Sequence, residues 1–285
     1  MDKVQKHSII ADSCADIPED FGIQYNYKRV PLSIFVDGVE FIDFKLEIKN
    51  LLYAMKNRKS KITTACPSPE DFLSSFSQIT NNFVVTISSK LSGAYNSAMM
   101  AKDMFLDEVH GNSLIHVFDS KTASAGETLA AIKVRELIDK GLSYLDIVNE
   151  VTEYISKLKT FLVIESLEHL AKNGRISKKD SIIGTMLHIT PIMGDNGKGE
   201  IELKGKAIGW KAAIRKLIDM IGTYDIDFKN SILGITHVNA LEKAISIKND
   251  ILAKYSFEKI MIFKAGGISA AYADENGIIL AFATR

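Results

Sequence analysis

The sequence predicts an α/β protein of two domains, the first with a mostly parallel sheet and the second with a mixed sheet. In the first half, short apolar runs alternate with helix-like segments at the spacing of βαβ units, which is typical of a parallel sheet. Beyond residue 159, hairpin signals such as 195–199 appear, and these join antiparallel strands. A chain of 285 residues is long enough to give each of two domains its own core. We therefore predict domains over 1–159 and 160–285.

In the first half, turn and cap residues mark where elements begin and end. Asp37-Gly38 is a hairpin signal, and Ser68-Pro69 starts a helix because serine suits the N-cap and proline the first helical position. Thr63-Thr64 precedes that start and is predicted to lie in a loop. Strands are predicted over 8–11, 30–36, 39–41, 83–87 and 114–118, and further helices over 45–59, 98–105, 125–140 and 144–158.

In the second half, the same patterns predict a different succession of elements. Alternating residues such as Glu200-Ile201-Glu202-Leu203 are typical of an exposed strand. The stretch 266–272 is rich in glycine and alanine and is predicted to be a loop. Strands are predicted over 160–165, 189–193, 200–203, 231–238, 259–264 and 278–283, and helices over 167–172, 181–187, 210–221 and 240–252.

The composition argues against several classes of protein. Lys+Arg and Asp+Glu both number 35, so the net charge is zero and a broad nucleic-acid surface is not expected. The first residues lack the apolar region of a signal peptide, and no apolar run reaches the roughly 18 to 20 residues that span a bilayer. We therefore expect a soluble, cytoplasmic protein, not an integral membrane protein.

The sequence also lacks the common signatures of metal and cofactor sites. Its two cysteines, Cys14 and Cys66, form no CxxC pair, and its six histidines have no metal-ligand spacing. Walker A, GxGxxG, HExxH and GxSxG motifs are absent. We accordingly predict no metal and no cofactor.

One strand-to-helix junction, 88–98, concentrates hydroxyls and a glycine. It reads Ser-Ser-Lys-Leu-Ser-Gly-Ala-Tyr-Asn-Ser-Ala and follows an apolar strand. Such a junction in an open α/β sheet offers free N–H groups and serine oxygens to an anion or a carboxylate. The same residues also suit a helix cap followed by a turn glycine, and spacing alone leaves both interpretations open.

Other polar residues have equally ordinary alternatives. The loop hydroxyls and Arg175 could each be a cap or a solvated side chain. His237, at the end of a strand, could transfer a proton or could form a hydrogen bond across a loop. Tyr272 lies in the Gly/Ala-rich stretch, where a backbone or a ligand can approach closely. The loop hydroxyls in question are Thr63, Thr64, Ser68, Ser88, Ser89 and Ser92.

Taken together, four motifs resemble the DegV family in order and spacing. They are Asp12-Ser13, Thr64-x-x-Pro67-Ser68, the 88–98 stretch and Gly174-Arg175-Ile176-Ser177, of which 88–98 is the most specific. The resemblance covers essentially the whole chain. It implies a bacterial protein with a three-layer α/β/α N-terminal domain, a two-layer α/β C-terminal domain and a fatty acid held between them.

The resemblance also implies which residues bind the ligand. Thr64 and Ser92 match the hydroxyls that hydrogen-bond the carboxylate in this family, and Arg175 matches an arginine near the head group. Thr63, Asn96 and Tyr272 complete the candidate set of ligand-binding residues.

The sequence departs from the family pattern in three places. Ala65-Cys66 replaces the usual serine and glutamine. Tyr272 stands where a histidine is common, and Ile208 where many members have an arginine.

The predicted function is therefore non-catalytic binding of a long-chain fatty acid in an apolar tunnel between the domains. An alternative is an acyl-presenting subunit whose carboxylate is phosphorylated by a separate ATP-binding fatty acid kinase. Two other classes remain open, a hydrolase that uses a loop serine and a regulatory module that senses the lipid. Against the hydrolase, no loop serine has an evident base, although His237 could reach one in space.

Overall fold

The secondary structure comes from a computed structural model that describes residues 7–18, 21, 26–59, 61–108, 113–183 and 188–285. Its strands are β1 (His7–Asp12), β2 (Asn26–Val30), β3 (Ser33–Val36), β4 (Val39–Ile42), β5 (Thr63–Ala65), β6 (Asn81–Thr86), β7 (Ile115–Asp119), β8 (Leu158–Val163), β9 (Ile189–Asp195), β10 (Ile201–Ile208), β11 (Ile232–His237), β12 (Lys259–Lys264) and β13 (Ile278–Ala283). Its helices are α1 (Ile48–Lys56), α2 (Pro69–Ser75), α3 (Ala94–Glu108), α4 (Ala125–Asp139), α5 (Tyr144–Lys157), α6 (Glu168–Lys172), α7 (Lys178–Ile183), α8 (Trp210–Ile221), α9 (Leu241–Leu252) and α10 (Gly267–Ala273).

The first large sheet has the order β2-β1-β6-β7, and all its strands are parallel. This confirms the predicted parallel sheet. The sequence pattern missed β2, because Asn-Tyr-Lys-Arg-Val lacks an apolar run. It also joined residues 30–36 into one strand, whereas the structure ends β2 at Val30 and begins β3 at Ser33. Pro31 lies at this break, and proline has no N–H to donate to a sheet.

The second large sheet has the order β10-β9-β8-β13-β11-β12. Strands β11 and β12 are parallel, and the other neighbours are antiparallel. This confirms the predicted mixed sheet, including the hairpin between β9 and β10.

A small antiparallel sheet, β4-β3-β5, stands apart from both. The Asp37-Gly38 turn joins β3 to β4, as predicted, with Val36 opposite Val39. The loop prediction for Thr63 and Thr64 was wrong, because both belong to β5, which pairs with β3. A strand of three residues is too short to show an alternating pattern.

Helix α4 lies between the two large sheets. It packs against β1 and β6 on one side and against β8, β11 and β13 on the other. Helices α2 and α3 cover the outer face of the first sheet, and α8 and α9 cover that of the second. One apolar core extends from Ile9 through Leu129 to Ile279 and so includes both sheets. A second core, which includes Leu217 and Phe282, lies between the second sheet and helices α8 and α9.

Two predicted elements in the second half need correction. The stretch 266–272 is not a loop but forms most of α10, whose first N–H groups are bound by buried carboxylates far away in sequence. The helix predicted over 181–187 instead begins at Lys178, and α7 is described to Ile183. Residues 184–187 lie outside the described part of the chain.

The helix after the 88–98 junction starts earlier than predicted. It begins at Ala94 rather than at residue 98. The domain boundary at 159/160 stays a prediction. Strand β8 begins at Leu158, close to that position.

Candidate functional site

An apolar cavity lies at the carboxyl ends of β1 and β6, on the face of the first large sheet that is turned toward the second. Its walls come from the loops that follow β1 and β6, from the segment before α4, from β8 and β13, and from α10. Ligands of open α/β sheets bind at the carboxyl ends of the strands. Representative lining residues are Cys14, Ile87, Leu91, Leu162, Ile268 and Ile279.

The cavity is narrow for its size. The empty space between the lining atoms is about 740 Å³ with its opening to solvent included. Only a small part of that space lies far enough from the lining atoms to hold a water molecule. The cavity is therefore slender, which suits an unbranched chain better than a bulky ring system.

Thr64 and Tyr272 meet at the edge of this cavity. The Thr64 Oγ1 atom lies 2.9 Å from the Tyr272 Oη atom, and Tyr272 itself lines the cavity. Thr64 belongs to β5 and Tyr272 to α10. The contact therefore joins two residues that are 208 positions apart in the sequence. Both side chains are half-buried. Each hydroxyl can still donate or accept a further hydrogen bond.

Ser92 lies in the turn between β6 and α3, beside the same edge. Its Oγ accepts a hydrogen bond from the Ala94 N–H at 3.2 Å, and its own N–H donates to the Ser88 carbonyl at 3.0 Å. The turn packs against Cys66, the residue that follows β5. Gly93 lies so close to it that a Cβ atom at position 93 would be 3.0 Å from the Cys66 Sγ. Leu91, the preceding residue, lines the cavity. Ser92 therefore stabilises its turn and also lies near the cavity.

Arg175 follows the end of α6 and lines the cavity. Gly174 has φ of 69°, which lets the chain turn sharply, and the Arg175 N–H donates to the Leu170 carbonyl at 2.8 Å. The Arg175 Nη1 donates to the Asn173 carbonyl at 2.5 Å. This bond fixes the direction of a half-buried guanidinium group beside the cavity.

The remaining candidates lie farther from the cavity. Thr63 is exposed, and since neighbours in a strand point to opposite faces, it points away from the side of Thr64. Asn96 is exposed in the first turn of α3. Thr64 and Ser92 adjoin the cavity through Tyr272 and Leu91 and are not themselves part of its described lining.

Two buried carboxylates hold the start of α10, and the sequence did not reveal them. Asp43 accepts from the N–H groups of Gly267 and Ile268 at 2.6 and 2.9 Å. Asp16 accepts from the Gly266 N–H at 2.7 Å. Three hydroxyls also donate to Asp16, those of Ser124, Thr236 and Ser269. Burial nevertheless raises the pKa of Asp16 to about 6. The polar turn after β1 is the one sequence signal that could have indicated this cluster.

Asp12, Glu127 and Cys14 form a second buried cluster of titratable groups, next to Asp16. Burial raises the pKa of Asp12 to about 7, although the N–H groups of Cys14 and Ile87 donate to its carboxylate. Glu127, in the first turn of α4, is completely buried, and burial together with the charges of Asp12 and Asp16 raises its pKa well above the usual range. Burial likewise raises the pKa of the Cys14 thiol, which lines the cavity. A thiol that stays protonated is a poor nucleophile.

His237 forms a local hydrogen bond. Its Nδ1 accepts from the Ala240 N–H at 3.2 Å, which is the loop-bridging interpretation left open by the sequence. Burial lowers the pKa of its imidazole. Among the described residues, no cluster of three His, Cys, Asp or Glu could hold a metal ion. In the described part of the chain, no helix is both long enough and apolar enough to cross a bilayer.

Two packed sheets with a slender apolar cavity, and with hydroxyls and an arginine at its edge, define an α/β protein built to hold a small molecule. The sequence model of a protein family, described as "Uncharacterised protein, DegV family", matches residues 6–284. The chain belongs to the DegV family.

Similar proteins match the chain over nearly its full length. A DegV domain-containing protein of Streptococcus gordonii is 34% identical over 280 residues, which is 96% of this chain and 98% of the relative. The crystal structure of a DegV family protein from Ruminococcus gnavus, refined with vaccenic acid, has a TM-score of 0.91 at 33% identity, covering 97% of this chain and 99% of the other. The Streptococcus pneumoniae fatty acid kinase (Fak) B3 protein loaded with linoleic acid has a TM-score of 0.91 at 30% identity, covering 98% and 100%.

Proposed function

We propose that this protein binds a long-chain fatty acid, with the alkyl chain in the cavity and the carboxylate hydrogen-bonded at its edge. The proposal rests on one juxtaposition, the Thr64–Tyr272 hydroxyl pair at the edge of a slender apolar cavity. Arg175 and the Ser92 turn lie at the same cavity and supply further donors. The relatives crystallised with vaccenic and linoleic acids support the same class of ligand.

The energetics favour such a ligand. Each CH₂ group that leaves water contributes about 0.8 kcal/mol, so a chain of about sixteen carbons gains on the order of 10 kcal/mol before the costs of association. A buried carboxylate without partners would cancel several kcal/mol of that gain. Hydroxyls and a guanidinium group avoid this loss because they donate hydrogen bonds to it.

Extraction of the purified protein with organic solvent tests the proposal directly. Mass spectrometry of the extract is expected to find close to one fatty acid per chain. The delipidated protein is then expected to take up one equivalent of added fatty acid in a titration. Absence of lipid in the extract together with no uptake on titration would overturn the proposal.

A second function is supported by one relative. The S. pneumoniae protein is named a fatty acid kinase B protein, so this chain is a candidate acyl-presenting subunit for a separate ATP-binding kinase. Ile208, where many family members have an arginine, is 76% exposed and sits at the end of β10. Incubation of the loaded protein with ATP and such a kinase tests this role. Formation of acyl phosphate would support it, whereas a kinase active on its own partner but not on this chain would exclude it.

We also propose a cytoplasmic location and a division into two domains. Cell fractionation with an antibody tests the first. Expression of 1–159 and 160–285 as separate chains tests the second. A core cluster built only from the second half, which includes Phe161, Leu217 and Phe282, predicts that 160–285 folds alone, and an unfolded fragment would contradict the division.

A further inference from the structure

His169 is a buried histidine outside the residues assigned to the ligand. It lies on α6, is 3% exposed, and its Nε2 is 3.7 Å from the Oδ2 of Asp274. Asp274 is the residue at which α10 ends. The contact therefore joins the helix that precedes Arg175 to the helix that carries Tyr272.

On the side of α6, backbone contacts lead from His169 to the guanidinium group. The His169 carbonyl accepts from the Asn173 Nδ2 at 2.9 Å. The Asn173 carbonyl in turn accepts from the Arg175 Nη1 at 2.5 Å. These two hydrogen bonds connect the backbone of α6 at His169 with the guanidinium group of Arg175.

On the side of α10, the path leads to the hydroxyl pair. Tyr272 is two residues before Asp274 and bonds Thr64 at 2.9 Å. The contacts and the chain itself therefore form one path from the hydroxyl pair to the guanidinium group, through Thr64, Tyr272, Asp274, His169, Asn173 and Arg175.

The backbone of Asp274 supports a specific role for its carboxylate. Its φ of 58° and ψ of 179° fall in a region occupied almost only by glycine. An aspartate there strains the chain, and its side chain is directed at the buried imidazole. The interaction with His169 is the main reason why the pKa of Asp274 is lowered.

We propose that His169 is a positioning residue for carboxylate recognition, which holds Arg175 and Tyr272 at a fixed separation through its contact with Asp274. The inference rests on the proposed binding of a fatty acid. It assigns to His169 no contact with the ligand itself. The alkyl part of the ligand does not depend on this contact.

A comparison of two ligands separates positioning from general damage to the fold. The dissociation constants of a saturated fatty acid and of the fatty alcohol with the same chain are measured on delipidated protein by displacement of a fluorescent lipid. The alcohol buries the same chain but has no carboxylate. The acid should respond much more strongly than the alcohol to the position of Arg175 and Tyr272, because only the carboxylate is charged.

Four variants complete the experiment. His169→Asn has no amide at the position of Nε2, whereas His169→Gln can place one there; Asp274→Gly removes the carboxylate and also relieves the backbone. Lys172→Gln is the control, because it removes an exposed ion pair with Glu168 from the same helix. We expect H169N and D274G to weaken binding of the acid at least fivefold and to change that of the alcohol less than twofold. H169Q and K172Q should stay within twofold of the wild type for both ligands.

Four outcomes would overturn the inference. Equal weakening of acid and alcohol in H169N and D274G would mean that the contact only stabilises the fold. Unchanged binding of the acid in both variants would mean that the path through His169 and Asp274 is not needed. If the wild type binds acid and alcohol equally, the lipid cavity stands and the positioning role falls, whereas a wild type that binds neither overturns the proposed function as well.

Discussion

At the scale of single residues, the edge of the cavity joins side chains from distant parts of the chain. The sequence proposes Thr64, Ser92, Arg175 and Tyr272 as ligand-binding residues; the last two line the cavity, and the first two adjoin it through Tyr272 and Leu91. It could not show that Thr64 and Tyr272 bond each other, because nothing local relates residues 208 positions apart. Thr63 was included by its place in a motif, but the alternation of a strand turns it to the other face.

Removal of the two hydroxyls tests the proposed carboxylate contacts. We expect Thr64→Ala combined with Ser92→Ala to weaken fatty acid binding at least tenfold, which corresponds to about 1.4 kcal/mol. Titration of the delipidated protein measures this. Ser143→Ala is the matched control, because Ser143 also accepts a backbone N–H at a helix start but belongs to α5. The control should lose about 1 kcal/mol of stability and keep the wild-type affinity. Equal affinity in the double variant would contradict the assignment.

The hydroxyl of Tyr272 can be tested without altering the ring. Tyr272→Phe leaves Thr64 without this partner, and we expect the dissociation constant of the acid to rise about three- to tenfold, the effect of one hydrogen bond of about 0.5–1.5 kcal/mol. Tyr255→Phe loses a comparable bond, from Oη to the Ile218 carbonyl at 3.0 Å, outside the cavity lining. If both variants changed the affinity alike, Tyr272 would have no special place at the ligand.

At the scale of elements, long patterned segments could be predicted and short or remotely stabilised ones could not. The hairpin at Asp37-Gly38 and the helix start at Ser68 are local signals, and both are present. Helix α10 was predicted as a loop because its stabilising partners, Asp16 and Asp43, are more than 220 residues away. Strand β5 exists because β3 offers it an edge, which is again not a local property.

Helix α4 can approach β8 closely only because residue 126 is a glycine. A Cβ there would lie 2.3 Å from the Thr122 Oγ1 and 2.6 Å from the Thr160 Oγ1. We expect Gly126→Ala to lower the free energy of unfolding by about 1–3 kcal/mol, the range for overpacking a core. Denaturant titration measures it. Gly205→Ala should change stability by less than about 0.5 kcal/mol, because its new methyl group meets the flexible end of Lys216 and makes an ordinary van der Waals contact with Ile192. Equal stability of G126A and the wild type would contradict the close packing.

At the scale of the whole molecule, buried carboxyls govern how stability depends on pH. The pKa of Asp12 is raised from 3.8 to about 7 and that of Asp16 from 3.8 to about 6. Below about pH 4 both carboxyls are protonated in the folded and in the unfolded chain, but above it only the folded chain keeps the protons. Stability therefore falls as the pH rises from about 4 and levels off once the pH passes 6 and 7. Asp274, whose pKa is lowered, loses its contribution only below about pH 4. Maximum stability is expected near pH 4.

Glu127→Gln isolates one of these groups. Glutamine resembles the protonated acid but does not titrate. The variant therefore takes up no proton at this position when it folds, whereas the wild type does. We expect the variant to be more stable than the wild type at pH 8, and its stability to fall less steeply as the pH rises above 5, by at most about 1.4 kcal/mol per pH unit, the limit for one proton. Urea titrations at several pH values measure both slopes. Parallel curves for E127Q and the wild type would show that Glu127 does not gain a proton on folding.

The burial of α4 between the two large sheets has a consequence for the motions of the protein. Its backbone amides near Ala130 and Ala131 have no solvent-facing side from which a local opening could start. Their exchange with deuterium therefore requires the two sheets to part, and such amides exchange only through global unfolding. We expect them to be the slowest to exchange, with an opening free energy equal to that of unfolding by denaturant. A bound lipid should slow them further, by the factor by which it stabilises the folded state.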